Sequence, residues 1–212
     1  HLPMEPYFGY SYSQSIYLQE EIDMQDSQIS SIYYHKNNTE TWDNTGDINI
    51  YIGNIPDSEI TGWIPLSELT LVQHSDVLPV SDAEGWVEFV LDDPFIYNNI
   101  DNLVIAFDEN TSGFSSSSDE FYNHGTTNDM SIYDYDDYDN PDPASPPTGT
   151  TTAYRPNIRI QFEDAPSTPS MTLNDTSWDA GQRPVGYTAE SGNVFEIINM
   201  GTDPLTVSNV SD

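Results

Sequence analysis

The residues best equipped for chemistry in this chain are carboxylates. Asp134-Tyr135-Asp136-Asp137-Tyr138-Asp139-Asn140-Pro141-Asp142 sets five acids within nine residues, and the nearest Lys or Arg in sequence is Arg155. Close like charges repel by about 1 kcal/mol per pair even in water, and by more where solvent is excluded. A hard cation removes that cost, and calcium takes about six to eight oxygens from loops of this composition. Asp134, Asp136, Asp137, Asp139 and Asp142 are therefore candidate calcium ligands. The pattern is not an EF-hand, since no Gly stands at the sixth position and no Glu at the twelfth. The alternative is a solvated acidic loop, common on chains this negative.

A second set of acids lies at Asp92-Asp93 and Asp108-Glu109-Asn110. These flank two strand patterns. If those strands are neighbours, Asp93, Asp108 and Glu109 converge on one ion. The same residue types are ordinary turn formers, which is the reading their chemistry favours.

Aromatic rings offer a different chemistry, stacking on a sugar through an apolar face and a polar edge. Tyr133 and Tyr135 share one face of a short strand, while Tyr138, Trp63, Trp42 and Tyr122 fall in or near loops. Tyr133, Tyr135, Tyr138 and Trp63 are the candidate ligand-binding residues. Catalysis is not expected. His1, His35, His74 and His124 form no HExxH spacing, no GxSxG elbow occurs and there is no cysteine nucleophile. Nothing among the acids singles out a glycosidase pair.

The elements that must position these residues are strands. Val87, Phe89 and Leu91 alternate, as do Leu103, Ile105 and Phe107, with Asp92-Asp93-Pro94 and Asn98-Asn99 as turn chemistry between two antiparallel strands. Ile48, Ile50 and Ile52 point one way, with Asn49 and Tyr51 opposite. Ile16 and Leu18 oppose Tyr17, and QEEIDMQD allows a turn of helix. Ile32 and Tyr34 mark another strand, LTLVQH and SIYDY two more, and Ile158, Ile160 and Phe162 close the layer. Eight or nine short strands with turn signals every dozen or so residues predict an all-β fold, an antiparallel jelly-roll sandwich over residues 1–164. Residues 165–169 read as an extended Pro-containing linker. Residues 170–212 supply three or four further strands, too few for an Ig-like sandwich, so they read as its N-terminal part.

Composition narrows the partners. Acids number 36 against 4 Lys and Arg, a net charge of −32. Such a surface repels phosphate backbones and anionic lipid, which disfavours nucleic acid and membrane surfaces. Cations and neutral ligands such as glycans remain. With no cysteine, no disulfide holds the fold. No apolar run approaches the ~20 residues of a membrane span. The start at His1 reads as a mature or excised fragment.

The second segment carries a pattern: Leu173, Trp178-Asp179-Ala180-Gly181, Val185-Gly186, Phe195-Glu196-Ile197-Ile198-Asn199-Met200-Gly201 and Pro204-Leu205-Thr206-Val207. It resembles Hydin-type (abnormal-spindle-like) Ig modules. That resemblance implies a spacer in a large secreted bacterial surface protein. The first domain, through GWVEFVLDDPF, DNLVIAFDEN and RPNIRIQF, is similar to the cleaved-adhesin jelly rolls of gingipains. Modules of that kind bind calcium through loop carboxylates and carbonyls, but the resemblance assigns no ligand to a position here.

Together these readings predict a non-catalytic, secreted or cell-surface module for adhesion or glycan binding, with structural calcium. Its expected partners are a glycan or surface protein and the neighbouring domains of its parent chain. The alternatives are a stalk or filament subunit that self-assembles by strand pairing, and an accessory domain of a secreted protease.

Overall fold

A computed structural model describes residues 2–24, 27–39, 42, 46–75, 84–114 and 120–164, with the backbone of two short strands at 171–173 and 197–199. In chain order, β1 (Tyr10–Tyr17), a one-turn helix α1 (Gln19–Ile22), β2 (Ser27–Lys36), β3 (Ile48–Ile55) and β4 (Thr70–Ser75) come first. Next are β5 (Gly85–Tyr97), β6 (Asn102–Glu109), β7 (Asn123–Gly125) and β8 (Ser131–Asp136). The last of the group are β9 (Thr150–Thr152), β10 (Tyr154–Pro156) and β11 (Ile158–Asp164).

The larger sheet runs β4-β3-β6-β1-β8-β9 and the smaller β11-β2-β5, with β7 and β10 paired separately. The chain crosses between the two sheets after β1, β2, β4 and β5, the winding of a jelly roll rather than of an up-and-down meander. The all-β sandwich is as expected. The chain divides into two units, His1–Glu163 and Asp164–Asp212. In the second, β12 (Met171–Leu173) pairs antiparallel with β13 (Ile197–Asn199). The rest of the predicted Ig-like strands, Phe195, Leu205 and Val207 included, lie outside the described residues.

The core forms between the sheets because alternation turns one side of each strand inward. Ile48, Ile50 and Ile52 of β3 meet Leu103, Ile105 and Phe107 of β6, facing Ile32 and Tyr34 of β2 and Val87, Phe89 and Leu91 of β5. Ile158, Ile160 and Phe162 of β11 pack at the margin of this core. The larger sheet is covered on its outer side as well. Ile16, Val104 and Ile132 lie there beneath Ile60, Trp63, Ile64 and Leu69 of the β3–β4 connection. Ile16 and Leu18 thus share that outer layer, while Tyr17 enters the main core, and β6 is buried on both faces.

One expectation is corrected. β5 and β6 are not a paired hairpin, because β5 lies in the smaller sheet on β2 and β6 in the larger between β3 and β1. Asp92, Asp93 and Pro94 do not turn the chain. They lie inside β5, in a bulge where only Ser30 separates the pairs Ile29↔Phe95 and Ser31↔Val90. Proline has no N–H to give to a ladder and is tolerated at such a bulge. The turn itself sits at Asn98, whose Oδ1 accepts the N–H groups of Ile100 (2.9 Å) and Asp101 (3.0 Å). Asn99 takes the left-handed conformation at φ 50°.

Candidate functional site

Strand register lines up one polar row across the outer face of the larger sheet. His74 of β4 stands opposite Asn49 of β3, Asn49 opposite Asp108 of β6, Asp108 opposite Tyr12 of β1, and Tyr12 opposite Asp134 of β8. Asp108 is the deepest charge in this row, only 2% exposed. Its Oδ2 accepts the side-chain amides of Asn49 (3.1 Å) and Asn110 (3.0 Å). Its Oδ1 is buried without a hydrogen-bond partner. Burial pushes its carboxyl above the usual range, and the charges of Asp47 and Asp142 push it further. The hydroxyl of Tyr51 is raised by burial, and by the charges of Asp108 and Asp142. Asn140 ties the same loop down by donating to Asn110 Oδ1 at 2.6 Å.

Glu109, the next residue, points to the core side and is fully buried. Its Oε1 accepts the Thr111 N–H at 2.7 Å, while Oε2 has no partner. Burial, aided by Asp108 and Asp47, raises this carboxyl to about 8.

The predicted acidic loop is spread out rather than convergent. Asp134 and Asp136 belong to β8, and Asp136 Oδ1 closes a turn by accepting Tyr138 N (2.7 Å) and Asp139 N (3.0 Å). Those backbone donors hold its carboxyl below the usual range. Asp142 Oδ1 accepts Ala144 N at 2.9 Å in a turn of its own, while Asp137 and Asp139 are exposed. Asp93 is exposed in the β5 bulge, and Asp92 Oδ2 accepts the His74 N–H at 2.8 Å. With β5 and β6 in different sheets, Asp93 does not meet Asp108 and Glu109 as adjacent strand ends would. Among the described residues, no three His, Asp or Glu side chains stand close enough to hold one ion. Asp142 of the other predicted set, and Asp47, which the sequence did not single out, bear on the Asp108 carboxyl only by raising it further.

The aromatic candidates separate too. Tyr133 and Tyr135 stack on each other at 5.6 Å, half-buried, and Phe8 covers Tyr135 at 4.2 Å. Tyr138 is 89% exposed. Trp42 is a core residue against Phe121, and Tyr122 lies exposed. Trp63 stacks on Tyr12 at 4.8 Å and donates its indole N–H to Pro147 O at 2.7 Å. It lines a groove of about 610 Å³ with Ile64, Pro65, Pro143 and Pro146, where few polar groups converge.

A better furnished groove centres on Arg155, which the sequence reading passed over. The guanidinium donates to both carboxylate oxygens of Glu21, one at 2.8 Å, and to Ile16 O at 3.0 Å, and it lies over the Tyr17 ring at 4.9 Å. Its Nε–H donates to His124 Nε2 at 3.1 Å, so the other imidazole nitrogen, Nδ1, donates to Asn157 Oδ1 at 2.8 Å. The guanidinium holds the Glu21 carboxyl below the usual range. α1 carries Glu21, whose Oε2 also accepts the Leu18 N–H at 2.9 Å. Beside this group opens a cavity of about 500 Å³ walled by Tyr17, Trp86, Ile158, Ile160 and Phe162. A second cavity of about 310 Å³ lies along Ser58, Thr126 and Asn128, sharing Glu21, His124 and Arg155 as its wall. The signal for this site was rarity: Arg155 is one of only four Lys and Arg residues in the chain.

Comparison with protein-family models, curated proteins and solved structures finds no match for the chain.

Proposed function

We propose that residues 1–163 form a non-catalytic glycan-binding module of a larger secreted or cell-surface bacterial protein, used for adhesion. The observation that carries this reading is the groove beside Arg155. Ring and aliphatic walls from Tyr17, Phe162, Ile158 and Ile160, with the Trp86 ring that His35 stacks on at 4.8 Å and Arg159 overlies at 4.1 Å, meet a polar edge made of Glu21, His124 and Asn157. A pyranose has the same division, an apolar face of C–H groups and a rim of hydroxyls that both donate and accept. Glu21 accepts, Asn157 does both, and the Arg155 charge is already matched by Glu21, so the groove fits a neutral sugar better than an acidic one. The net charge of −32 acts in the same direction by repelling anionic ligands.

The test is a fluorophore-labelled chain on an array of neutral and acidic oligosaccharides, followed by titration of any hit. Binding to neutral glycans that is lost in Trp86→Ala and kept in Tyr138→Ala fits the reading. No retention of any glycan by the folded chain overturns it. The stalk alternative draws on one observation: β5 and β11 are the terminal strands of the smaller sheet, and β5 exposes Val90 at 61%. Oligomers that grow with concentration, without glycan binding, favour that reading.

A further inference from the structure

Resting on the glycan reading of the groove beside Arg155, we propose that this groove is one half of an extended site. The site takes a linear neutral glycan of at least two sugar units, one in each of two cavities that meet at the Arg155 cluster. The cavity walled by Tyr17, Ile160 and Phe162, about 500 Å³, and the cavity along Ser58, Thr126 and Asn128, about 310 Å³, have Glu21, His124 and Arg155 in common. Each volume falls within the roughly 300–1,000 Å³ of a ligand site. The two halves differ in chemistry. The first offers rings and aliphatic groups, on which the C–H face of a sugar stacks. The second offers the hydroxyls of Ser58 and Thr127 and the side-chain amide of Asn128, all three residues exposed, which suit sugar hydroxyls that both donate and accept.

The shared cluster is fixed from within. Arg155 is 7% exposed, and four of its five N–H groups are taken, by Ile16 O, by the two Glu21 oxygens and by His124 Nε2. The fifth, on Nη2, has no partner among the described residues, which leaves one donor for a ligand oxygen in a residue that borders both cavities. The Glu21 side chain is 41% exposed and His124 is exposed, so both present polar edges at the same place. A glycosidic linkage laid over this cluster puts one sugar on the Phe162 side and the next on the Asn128 side. Anionic units are disfavoured in the second cavity as in the first. Ser58 stands between Asp57 and Glu59, and Asn128 beside Asp129. Among the described residues that wall contains no Lys or Arg except Arg155, whose charge Glu21 matches.

The test is calorimetric titration of the full chain with glucose and cellobiose, with glucose and maltose, and with N-acetylglucosamine and its β-1,4-linked dimer. In at least one of these series the two-unit sugar should bind about ten- to a hundredfold more tightly than the single unit, the gain expected from two or three further hydrogen bonds. Ser58→Leu and Asn128→Ala, both at exposed positions, should melt like the wild type, keep the single-sugar affinity and lose most of that gain. Phe162→Ala should weaken one- and two-unit sugars alike. Equal binding of one and two units would overturn the extended site, and if Phe162→Ala weakens that binding the glycan reading still stands. A gain that survives both Ser58→Leu and Asn128→Ala would overturn it in the same way. No binding in any series would also overturn the extended site, whereas the glycan reading itself falls only if the array retains nothing.

Discussion

Replacing Glu109 by Gln takes an ionisable group out of the interior while keeping the one hydrogen bond it makes. The carboxyl is fully buried, Oε1 accepts the Thr111 N–H, and Oε2 has no partner. In the folded chain it titrates at about 8, against 4.5 for an ordinary glutamate. Between those values the folded state keeps a proton that the unfolded state gives up. The stabilisation is therefore complete below about pH 4.5, declines by about 1.4 kcal/mol per pH unit as pH rises, and is gone above about pH 8. Over an interval of about 3.5 units the wild type loses on the order of 5 kcal/mol, comparable with the whole stability of a small domain. Gln has no such titration, but it leaves an amide NH2 unpaired, at about 1–3 kcal/mol. Glu109→Gln should then be less stable than the wild type by about 1–3 kcal/mol at pH 4.5 and more stable by about 2–4 kcal/mol at pH 8.5, the curves crossing between about pH 5 and 7. Urea unfolding followed by tryptophan fluorescence, in chelator and at constant ionic strength, measures this. Parallel wild-type and variant curves from pH 5 to 8 would refute the reasoning, because they would mean that Glu109 titrates alike in both states.

Other consequences follow from the same geometry. A Cβ at Gly149 would stand 2.6 Å from the Trp63 ring and 2.7 Å from Ile132 Cγ1. Gly149→Ala should therefore push the indole off Tyr12, costing about 1–3 kcal/mol and shifting the tryptophan emission. Glu21→Gln leaves the nearly buried Arg155 without its counter-charge and should destabilise the sandwich by about 2 kcal/mol, with Arg155→Gln costing less because Glu21 is half exposed. The Glu21 carboxyl is held low, so its contribution is present above the ordinary glutamate range and lost as pH falls through its lowered value. An acid titration of Glu21→Gln should lack that loss.

What could be read from the residues followed from burial patterns with a single reading. Ile48, Ile50 and Ile52 admit only a strand with one apolar side, and the core is built on them. Pairing was another matter. Asp92-Asp93-Pro94 is turn chemistry, yet a bulge in a long strand uses the same residues for the same lack of ladder donors, and local sequence does not distinguish the two. β1 gave little signal because Ser11, Ser13, Gln14 and Ser15 are buried by hydrogen bonding rather than by apolarity. Gln14 bonds Tyr12 and Ile64, and Ser15 meets Ser131 at 2.8 Å. The acids at 134–142 were visible as a run, but a loop follows its own turns, and Asp136 and Asp142 each cap one. The grouping of Arg155 with Glu21 and His124 depends on three segments meeting, over 134 and 31 residues of separation. No spacing rule encodes it.

The central claim is that the groove at Trp86 and Phe162 takes a neutral sugar. The measurement that meets it most directly is titration of the full chain with oligosaccharides from the array, following tryptophan fluorescence in the wild type, Trp86→Ala and Phe162→Ala. The account predicts saturable binding of a neutral oligosaccharide that weakens at least tenfold in both variants while Tyr138→Ala binds like the wild type. Saturable binding untouched by Trp86→Ala and Phe162→Ala, or none at all by a folded chain, would contradict it.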